Sequence, residues 1–339
     1  MKAMRLPRIA PVEQTPLEPI ELPEPRPGAD EVLLDVHACG VCRTDLHIVE
    51  GEVAARLPIV PGHQVAGRVR ECGSEVAGIR PGDLVGVGWL SETCGQCVFC
   101  RSGRENLCRL ARFTGCDRDG GYAERMTAPE SAVYCLPPDL DPKRAAPLLC
   151  AGVIGYRTLR LSGARAGGKL GLFGFGASAH LVLQVARHEG CDVFAFTRET
   201  RHRELALEMG AVWAGGAGDD PGILLDAAAI FAPAGEIVPL ALARLERGGT
   251  LAVNAIHMSP IPSFGYERLS GERVVRSVTN FTRRDALEFL ELAVRIPVEA
   301  EIEEFPLPAA NEALAKVKRG EVRGSAVLAT RGLATTRNG

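Results

Sequence analysis

Residues 170–179 read Leu-Gly-Leu-Phe-Gly-Phe-Gly-Ala-Ser-Ala, an apolar run that passes into a glycine-rich turn. Gly174, Gly176 and Ala179 follow the pattern G-x-G-x-x-A. In this pattern the glycines let the backbone turn tightly and approach a pyrophosphate at the N-terminus of the next helix. Such a turn can also serve only close packing, so the surrounding sequence has to decide between the two interpretations.

Around this turn, apolar strands alternate with helical segments. The predicted strands are Leu170–Phe173, Asp192–Phe196, Ala227–Phe231 and Thr250–Ala255, and the predicted helices are Ser178–Glu189, Glu199–Met209 and one that ends at Arg247. This alternation indicates an α/β domain with a doubly wound parallel sheet. In that setting the glycine-rich turn predicts a dinucleotide site.

The sequence on either side of this domain has a different pattern of predicted elements. Short β segments interrupted by Pro and Gly occupy the first 150 residues, at Glu31–His37, Ile59–Val69 and Leu84–Val87. Beyond Asp285 we predict an amphipathic helix, a strand near Glu301–Phe305, a helix Asn311–Lys318 and a closing strand Ser325–Ala329. An irregular β domain therefore joins the parallel sheet, and two domains fit a chain of 339 residues.

Four cysteines, Cys94, Cys97, Cys100 and Cys108, fall within one short segment. Paired Cys-x-x-Cys steps can direct four thiolates to one point, as in a closed structural zinc site. An iron–sulfur cluster is a second interpretation, although ferredoxin-type runs place the fourth cysteine closer and follow it with proline. Disulfides or unliganded thiols are a third. The spacing favours zinc.

The composition narrows the class of protein. The net charge is −3, and no run of like charges suggests binding to nucleic acid or to a membrane surface. The chain has 11 cysteines, no evident signal peptide and no apolar stretch long enough to span a bilayer. We therefore expect a cytoplasmic protein whose cysteines are thiols or metal ligands.

The end of the second predicted strand bears on the choice of dinucleotide. An Asp or Glu at this point would bind the ribose 2′-hydroxyl of NAD, but the sequence continues with Thr197 and Arg198. A hydroxyl and a guanidinium, with Arg201 and Arg203 nearby, suit the 2′-phosphate of NADP(H). The alternative is a solvated basic loop that binds no ligand.

Further motifs surround Cys42, His63 and Cys150, and Asp-Gly-Gly-Tyr-Ala-Glu occupies residues 119–124. With these motifs and the nucleotide fold in order, the chain resembles the zinc-dependent alcohol dehydrogenases of the medium-chain dehydrogenase/reductase family. The resemblance implies a GroES-like catalytic domain over residues 1–152 with a zinc lobe at about 92–110. It also implies a Rossmann domain over 153–288 and a return to the catalytic domain over 289–339.

The resemblance assigns roles to individual residues. It implies that Cys42, His63 and Cys150 hold a catalytic zinc ion and that the four lobe cysteines hold a structural one, so that each chain binds two zinc ions. Thr44 would pass a proton by way of the cofactor ribose to a surface histidine, His47. Arg43 would contact the pyrophosphate, and Asp45 would orient His63.

The chain departs from the family pattern after the ligand histidine, where Gln64 replaces the usual glutamate. This change removes a negative charge beside the metal, so we expect it to alter turnover without removing the zinc. Five further cysteines match no ligand position, and we interpret them as small buried apolar residues: Cys39, Cys72, Cys116, Cys135 and Cys191.

The resemblance also implies an activity. It predicts an alcohol dehydrogenase or aldehyde reductase that acts on a small-molecule alcohol or aldehyde in a cleft between the two domains. A polyol dehydrogenase and a non-catalytic dinucleotide-binding protein remain alternatives, whereas the intact ligand set argues against a zinc-free quinone reductase. We expect a homodimer or homotetramer, with the strand near residues 273–278 as a candidate contact.

Overall fold

The computed structural model describes residues 1–330, so the last nine residues of the predicted return segment 289–339 lie outside it. The chain forms two compact units. The first contains Met1–Cys150, Thr282–Leu287 and the chain from Ala300 onward, and the second contains Ala151–Phe281 and Glu288–Glu299. The chain therefore re-enters the first unit briefly at Thr282 before its final return.

The first 150 residues form mainly short strands. The strands and the three short helices between them are β1 (Lys2–Arg5), β2 (Glu18–Glu21), β3 (Glu31–Val41), α1 (Arg43–Val49), β4 (Gln64–Cys72), β5 (Leu84–Val87), β6 (Leu90–Glu92), α2 (Val98–Arg101), β7 (Arg112–Phe113), β8 (Arg125–Pro129), β9 (Val133–Cys135) and α3 (Pro142–Ala145). Apart from β3 and β4, these strands are short, because glycine and proline interrupt the branched apolar residues.

The remainder of the described chain alternates helices and strands. They are α4 (Ala151–Ser162), β10 (Lys169–Phe173), α5 (Ala177–His188), β11 (Asp192–Phe196), α6 (Thr200–Glu208), β12 (Trp213–Gly215), β13 (Leu225–Ile230), α7 (Ile237–Arg244), β14 (Leu245–Val253), β15 (Val274–Ser277), α8 (Arg283–Arg295), β16 (Ile302–Pro306), α9 (Ala310–Arg319) and β17 (Ser325–Ala329).

Each unit is built on one principal sheet. The first has the strand order β16-β17-β3-β4-β5-β9, with β8 also paired to β3, and its pairs are antiparallel except β16 with β17. The second has the order β12-β11-β10-β13-β14-β15, with every pair parallel. The predicted fold class is thus confirmed. Among residues 1–330, no helix combines the length and the apolar composition needed to cross a membrane.

Some predicted boundaries were wrong. The helix predicted to reach Arg247 ends at Arg244, because β14 begins at Leu245, which is buried and pairs with Leu225 across a bulge. Strand β4 begins at Gln64 and not at Ile59, because Ile59 forms an isolated bridge with Leu6 and residues 60–63, with Gly62 at φ +100°, belong to no strand. The sequence analysis also missed helices α1 and α4, each of which directly follows a cysteine of the predicted catalytic site.

One hydrophobic cluster of the second unit lies between its sheet and α7. Phe173 and Phe196 stack there with ring centroids 4.2 Å apart, and both rings are buried. These residues end β10 and β11, so their packing fixes the carboxyl ends of two neighbouring parallel strands. Ligands of open parallel sheets bind at that edge.

Candidate metal centres and dinucleotide site

Sheet pairing brings together three predicted ligands that lie far apart in sequence. Cys42 follows the end of β3 and His63 precedes the start of β4, and these antiparallel strands meet where Gly40 pairs with Gln64. Their ligand atoms and that of Cys150 all lie within 4.8 Å of one another.

Cys150 reaches this position because of close packing beside it. The neighbouring Leu149 is buried against Gly86 of β5, and a Cβ atom on that glycine would lie only 2.3 Å from Leu149 Cδ2. A larger residue at position 86 would therefore displace the segment that carries Cys150.

The buried His63 ring has one nitrogen in use and one free. Its Nδ1 donates to Asp45 Oδ1 at 3.0 Å, and both side chains are fully buried. Among the described residues, Nε2 is buried and has no hydrogen-bond partner. Burial lowers the pKa of His63, but the Asp45 carboxylate outweighs it and raises the value to about 10. A buried nitrogen without a partner is costly unless a ligand binds it, and a metal ion fits this requirement.

The two thiols complete the donor set. A hydrogen bond from Cys150 is the main cause that lowers the pKa of Cys42 well below the usual value for a thiol, and the same bond raises the pKa of Cys150. The thiolate is the form that binds metal. Two thiolates and one imidazole with no fourth protein ligand match a catalytic zinc site, in which one position stays open to a water or a substrate.

The four lobe cysteines form a second donor set. Their sulfur atoms lie within 4.8 Å of one another, with separations of 3.5 Å for Cys97–Cys100, 3.6 Å for Cys94–Cys108 and 3.9 Å for Cys94–Cys100. Sulfur atoms bound tetrahedrally to zinc at about 2.3 Å are about 3.8 Å apart. Backbone N–H groups of Gln96 and Cys97 lower the pKa of Cys94 to about 6, which favours the ligating thiolate.

Arginine side chains fasten this lobe to the rest of the first unit. Arg118 pairs with Glu92 of β6 and with Glu31 of β3. Arg283 donates to the carbonyl of Ser91 and to Thr93 Oγ1, just before Cys94. The lobe is therefore anchored independently of any metal ion.

The predicted proton-relay residues lie on α1. Thr44 Oγ1 lies 3.5 Å from Cys42 Sγ, within hydrogen-bonding distance of the sulfur, so this hydroxyl adjoins the metal ligands. His47 is not a surface histidine as expected, since it is only 7 % exposed. Its Nδ1 forms a hydrogen bond with the carboxylate of Glu52, whose side chain is 38 % exposed. Sequence reasoning missed Glu52, because it lies beyond the end of α1, where helical spacing no longer predicts a contact.

Arg43 and Gln64 occupy buried or half-buried positions around the ligands. The Arg43 guanidinium donates to the carbonyl oxygen of Val317, near the end of α9, at 3.1 Å. Burial lowers the pKa of Arg43. Gln64 is buried, and a Cβ atom added to Gly40 would lie 3.0 Å from its side chain, so the amide is held closely beside the Cys42 strand.

The glycine-rich turn lies between β10 and α5, and the backbone is left-handed at Gly174. Gly174 follows β10 with φ +89°, and a Cβ atom there would lie 3.0 Å from Ala232. Gly176 caps α5, whose Ala179 is buried. Sequence reasoning missed His180, whose Nδ1 lies 3.2 Å from the Gly176 carbonyl oxygen. Burial lowers the pKa of His180 to about 4, so this ring adds no charge near the turn.

The residues predicted to select the dinucleotide differ in how buried they are and in how many contacts hold their side chains. Thr197 is buried and its N–H donates to the carbonyl of Gly215 at 2.7 Å. The Arg198 side chain is 93 % exposed and reaches Glu199 at 3.5 Å. Arg203 donates to the carbonyl oxygens of Thr197 and Arg198 at 2.8 and 3.2 Å, so its guanidinium is held at the end of β11.

None of the eleven cysteines forms a disulfide, and all of them lie in the described part of the chain. Cys39, Cys116 and Cys191 are buried as expected. Cys72 is only partly buried and Cys135 is exposed, so the expectation of a buried apolar residue was wrong for Cys135. It stands at the end of β9, at the edge of the first sheet, where one side of the strand has no neighbour among the described residues.

A Cys-His-Cys site, a closed four-cysteine site and a dinucleotide fold in one chain define a zinc-dependent dehydrogenase. Residues 28–138 match the alcohol dehydrogenase GroES-like domain family. The chain is 46% identical to the probable alcohol dehydrogenase AdhA of Mycobacterium tuberculosis (strain CDC 1551 / Oshkosh), with 97% of each chain covered. It is 37% identical to an alcohol dehydrogenase of Geobacillus stearothermophilus, with 92% of this chain and 95% of that one covered.

A solved structure of a cinnamyl alcohol dehydrogenase from Sorghum bicolor superposes with a TM-score of 0.89, at 27% identity over 97% of each chain. The chain belongs to the zinc-dependent alcohol dehydrogenases of the medium-chain dehydrogenase/reductase family. It therefore has a GroES-like unit and a Rossmann unit, as the resemblance predicted.

Proposed function

We propose that the protein is an alcohol dehydrogenase or aldehyde reductase that interconverts a primary or secondary alcohol with its carbonyl compound. The main support is that the ligand atoms of Cys42, His63 and Cys150 lie within 4.8 Å of one another. Among the described residues, the buried Nε2 atom of His63 has no hydrogen-bond partner. Reduction and oxidation of a panel of aldehydes, ketones and alcohols, followed by nicotinamide absorbance, test the proposal. No turnover with any of them would favour a non-catalytic dinucleotide-binding protein.

The residues of the site would divide the chemistry. When bound, zinc supplies a Lewis acid for the substrate oxygen, and the nicotinamide accepts or supplies the hydride. Thr44 would hold the proton that leaves the substrate hydroxyl, because its Oγ1 adjoins the ligand Cys42. His47 would take the proton on from there, and the half-exposed Glu52 that pairs with it would connect the path to solvent.

The relay predicts unequal effects of three substitutions. Thr44→Ala should lower kcat on the order of a hundredfold or more, because it removes the group next to the reacting oxygen. His47→Ala should cost roughly tenfold, since water can enter the space of the lost ring, and Glu52→Gln should cost less. Steady-state kinetics measure these effects. Equal losses for Thr44→Ala and His47→Ala would contradict the path.

For the cofactors, we propose two zinc ions per chain and a preference for NADP(H) over NAD(H). Support for the preference comes from Thr197, which stands where a carboxylate would select NAD, and from the ordered guanidinium of Arg203. The Arg198 side chain is almost fully exposed, and its contact with Glu199 is a solvent-exposed pair that a phosphate could replace. A charge-assisted contact to the 2′-phosphate is worth roughly ten- to a hundredfold in specificity.

The preference is tested by moving a carboxylate into the site. Thr197→Asp combined with Arg198→Ala should reverse the preference, because Asp repels the 2′-phosphate and accepts from the ribose hydroxyl of NAD. The ratio of kcat/KM values for NADP(H) and NAD(H) gives the result, and Arg198→Ala alone is the control for the lost arginine. A wild-type enzyme that prefers NAD would refute the proposal.

We also propose a homodimer or homotetramer and a cytoplasmic location. Strand β15 is the edge of the parallel sheet and all four of its residues are exposed, including Val274 and Val275. An exposed apolar edge strand is a template for pairing with a second copy. Eleven cysteines without a disulfide fit a reducing compartment.

If two copies assemble through β15, the molar mass in solution should rise with protein concentration. Light scattering at micromolar concentration should give a dimer or tetramer. Val275→Pro should shift the mass toward the monomer, because proline removes a donor from the edge. A monomeric wild-type protein would contradict the proposal.

A further inference from the structure

The segment Asp119–Tyr122 lies against the turn that carries His63. The N–H groups of Gly120, Gly121 and Tyr122 donate to carbonyl oxygens of residues 60–62 at distances between 2.7 and 3.0 Å, and Asp119 Oδ1 accepts from the N–H of Val60 at 2.9 Å. The ligand-bearing turn is therefore held by its backbone along its whole length, and Tyr122 is the last residue of the segment that holds it.

Close contacts explain the two glycines of this segment. A Cβ atom on Gly120 would lie 2.0 Å from the carbonyl oxygen of Gly62, and one on Gly121 would lie 2.4 Å from Val65 Cγ2. Gly62 itself has φ +100°, and its Cβ atom would lie 2.4 Å from Tyr122 Cδ1. The Tyr122 ring therefore packs directly on the residue that precedes His63.

The hydroxyl of the same ring reaches the carboxylate that orients His63. Tyr122 Oη donates to Asp45 Oδ2 at 3.1 Å, and the side chains of both residues are fully buried. The N–H of Cys42 also donates to Asp45 Oδ2, at 2.9 Å. Asp45 Oδ1 remains for His63 Nδ1. Three donors thus fix the plane of this carboxylate.

We propose that Tyr122 is a positioning residue for the metal ligand His63, acting through Asp45. The hydroxyl holds the carboxylate so that Oδ1 accepts from Nδ1 of the ring, which leaves the lone pair of Nε2 directed at the metal. This inference rests on the proposed zinc site. Partners that orient a metal-bound histidine contribute roughly ten- to a hundredfold to metal affinity or activity.

The first experiment compares the two metal sites of one chain. Tyr122→Phe keeps the ring and its packing and removes only the hydroxyl. In the zinc-loaded enzyme, a chelator should remove the Cys42-site zinc about tenfold faster than in the wild type. The lobe zinc, whose four cysteine ligands Tyr122 does not contact, should leave at the wild-type rate and serves as an internal reference.

Tyr134→Phe is the matched control. Tyr134 belongs to the same unit and is buried, and its hydroxyl has no hydrogen-bond partner within residues 1–330. Removal of this hydroxyl should leave the rate of zinc release unchanged at both sites. An unchanged rate of zinc release from the Cys42 site of Tyr122→Phe would overturn the proposal. Equal acceleration of zinc release from the Cys42 site and the lobe would also overturn it, because it would indicate a general loss of stability.

A double-mutant cycle tests the route through Asp45. In the Asp45→Asn background, Tyr122→Phe should change the release rate less than about twofold, because the carboxylate that it orients is already gone. Full additivity would overturn the route. Cobalt in the Cys42 site should show a shifted visible absorption band in Tyr122→Phe and not in Tyr134→Phe. A wild-type enzyme that binds zinc only in the lobe would instead refute the proposed function.

Discussion

Cys42→Ser should abolish turnover while the fold and the lobe zinc persist. The substitution removes a thiolate from a site with only three protein ligands, so the metal that stabilises the developing charge is lost or misplaced. That stabilisation is worth several kcal/mol, or about a thousandfold or more in kcat. Serine is also a favoured N-cap, so helix α1 should still begin at Arg43.

Elemental analysis, steady-state kinetics and thermal melting together check this expectation. The variant should contain one zinc ion per chain, where the wild type should contain two. Cys72→Ser provides the control, because Cys72 lies in the same unit, donates to the carbonyl of Ile79 and, within residues 1–330, belongs to neither sulfur cluster. An active Cys42→Ser variant, or a wild-type enzyme with fewer than two zinc ions when fully metallated, would disprove the catalytic assignment.

Cys100→Ser should act on stability first. Cys100 is within 4 Å of two other lobe sulfurs, Cys94 and Cys97, so its loss opens the closed four-cysteine site. Because metal binding to such a site is coupled to folding, we expect the melting temperature to fall by about 5–10 °C. The arginine contacts of the lobe should keep the remainder of the unit folded, so activity should decline only as the protein loses its structure.

Scanning calorimetry with and without a chelator measures this effect. Chelation of the lobe zinc should lower the melting temperature of the wild type but not that of Cys100→Ser, since that site is already disrupted. Cys135→Ser is a suitable control, because Cys135 is exposed and lies outside both clusters. A melting temperature unchanged by Cys100→Ser would show that the lobe does not depend on its metal.

Local patterns in the sequence were sufficient for much of the fold. The apolar run and the G-x-G-x-x-A turn at Gly174 predicted the strand β10 and the helix α5, because both are short-range consequences of apolar periodicity and of what glycine permits. The alternation of strands and helices along the chain predicted the parallel sheet. The spacing of Cys94, Cys97, Cys100 and Cys108 favoured one metal site for the same reason, since all four lie on one short segment.

The catalytic ligands illustrate the limit of short-range reasoning. Cys42, His63 and Cys150 were grouped only because the motifs resemble a family, and no spacing along the chain relates them. The structure relates them through the register of β3 on β4 and through the packing of Leu149 on Gly86. Such contacts depend on sheet pairing between distant segments, which a one-dimensional pattern does not encode.

The same reason accounts for what the sequence analysis got wrong or missed. His47 looked like a surface residue, but tertiary packing buries it and pairs it with Glu52. In the sequence Tyr122 was noted only as part of a motif. The fold brings its hydroxyl to Asp45, which is 77 positions away. The sequence by itself determined most of the helices and strands and the chemistry of the ligands, but not the helices α1 and α4 that follow two of those ligands. Only the tertiary structure decided which side chains orient those ligands, because hydrogen bonds between buried groups form after distant strands have been brought together.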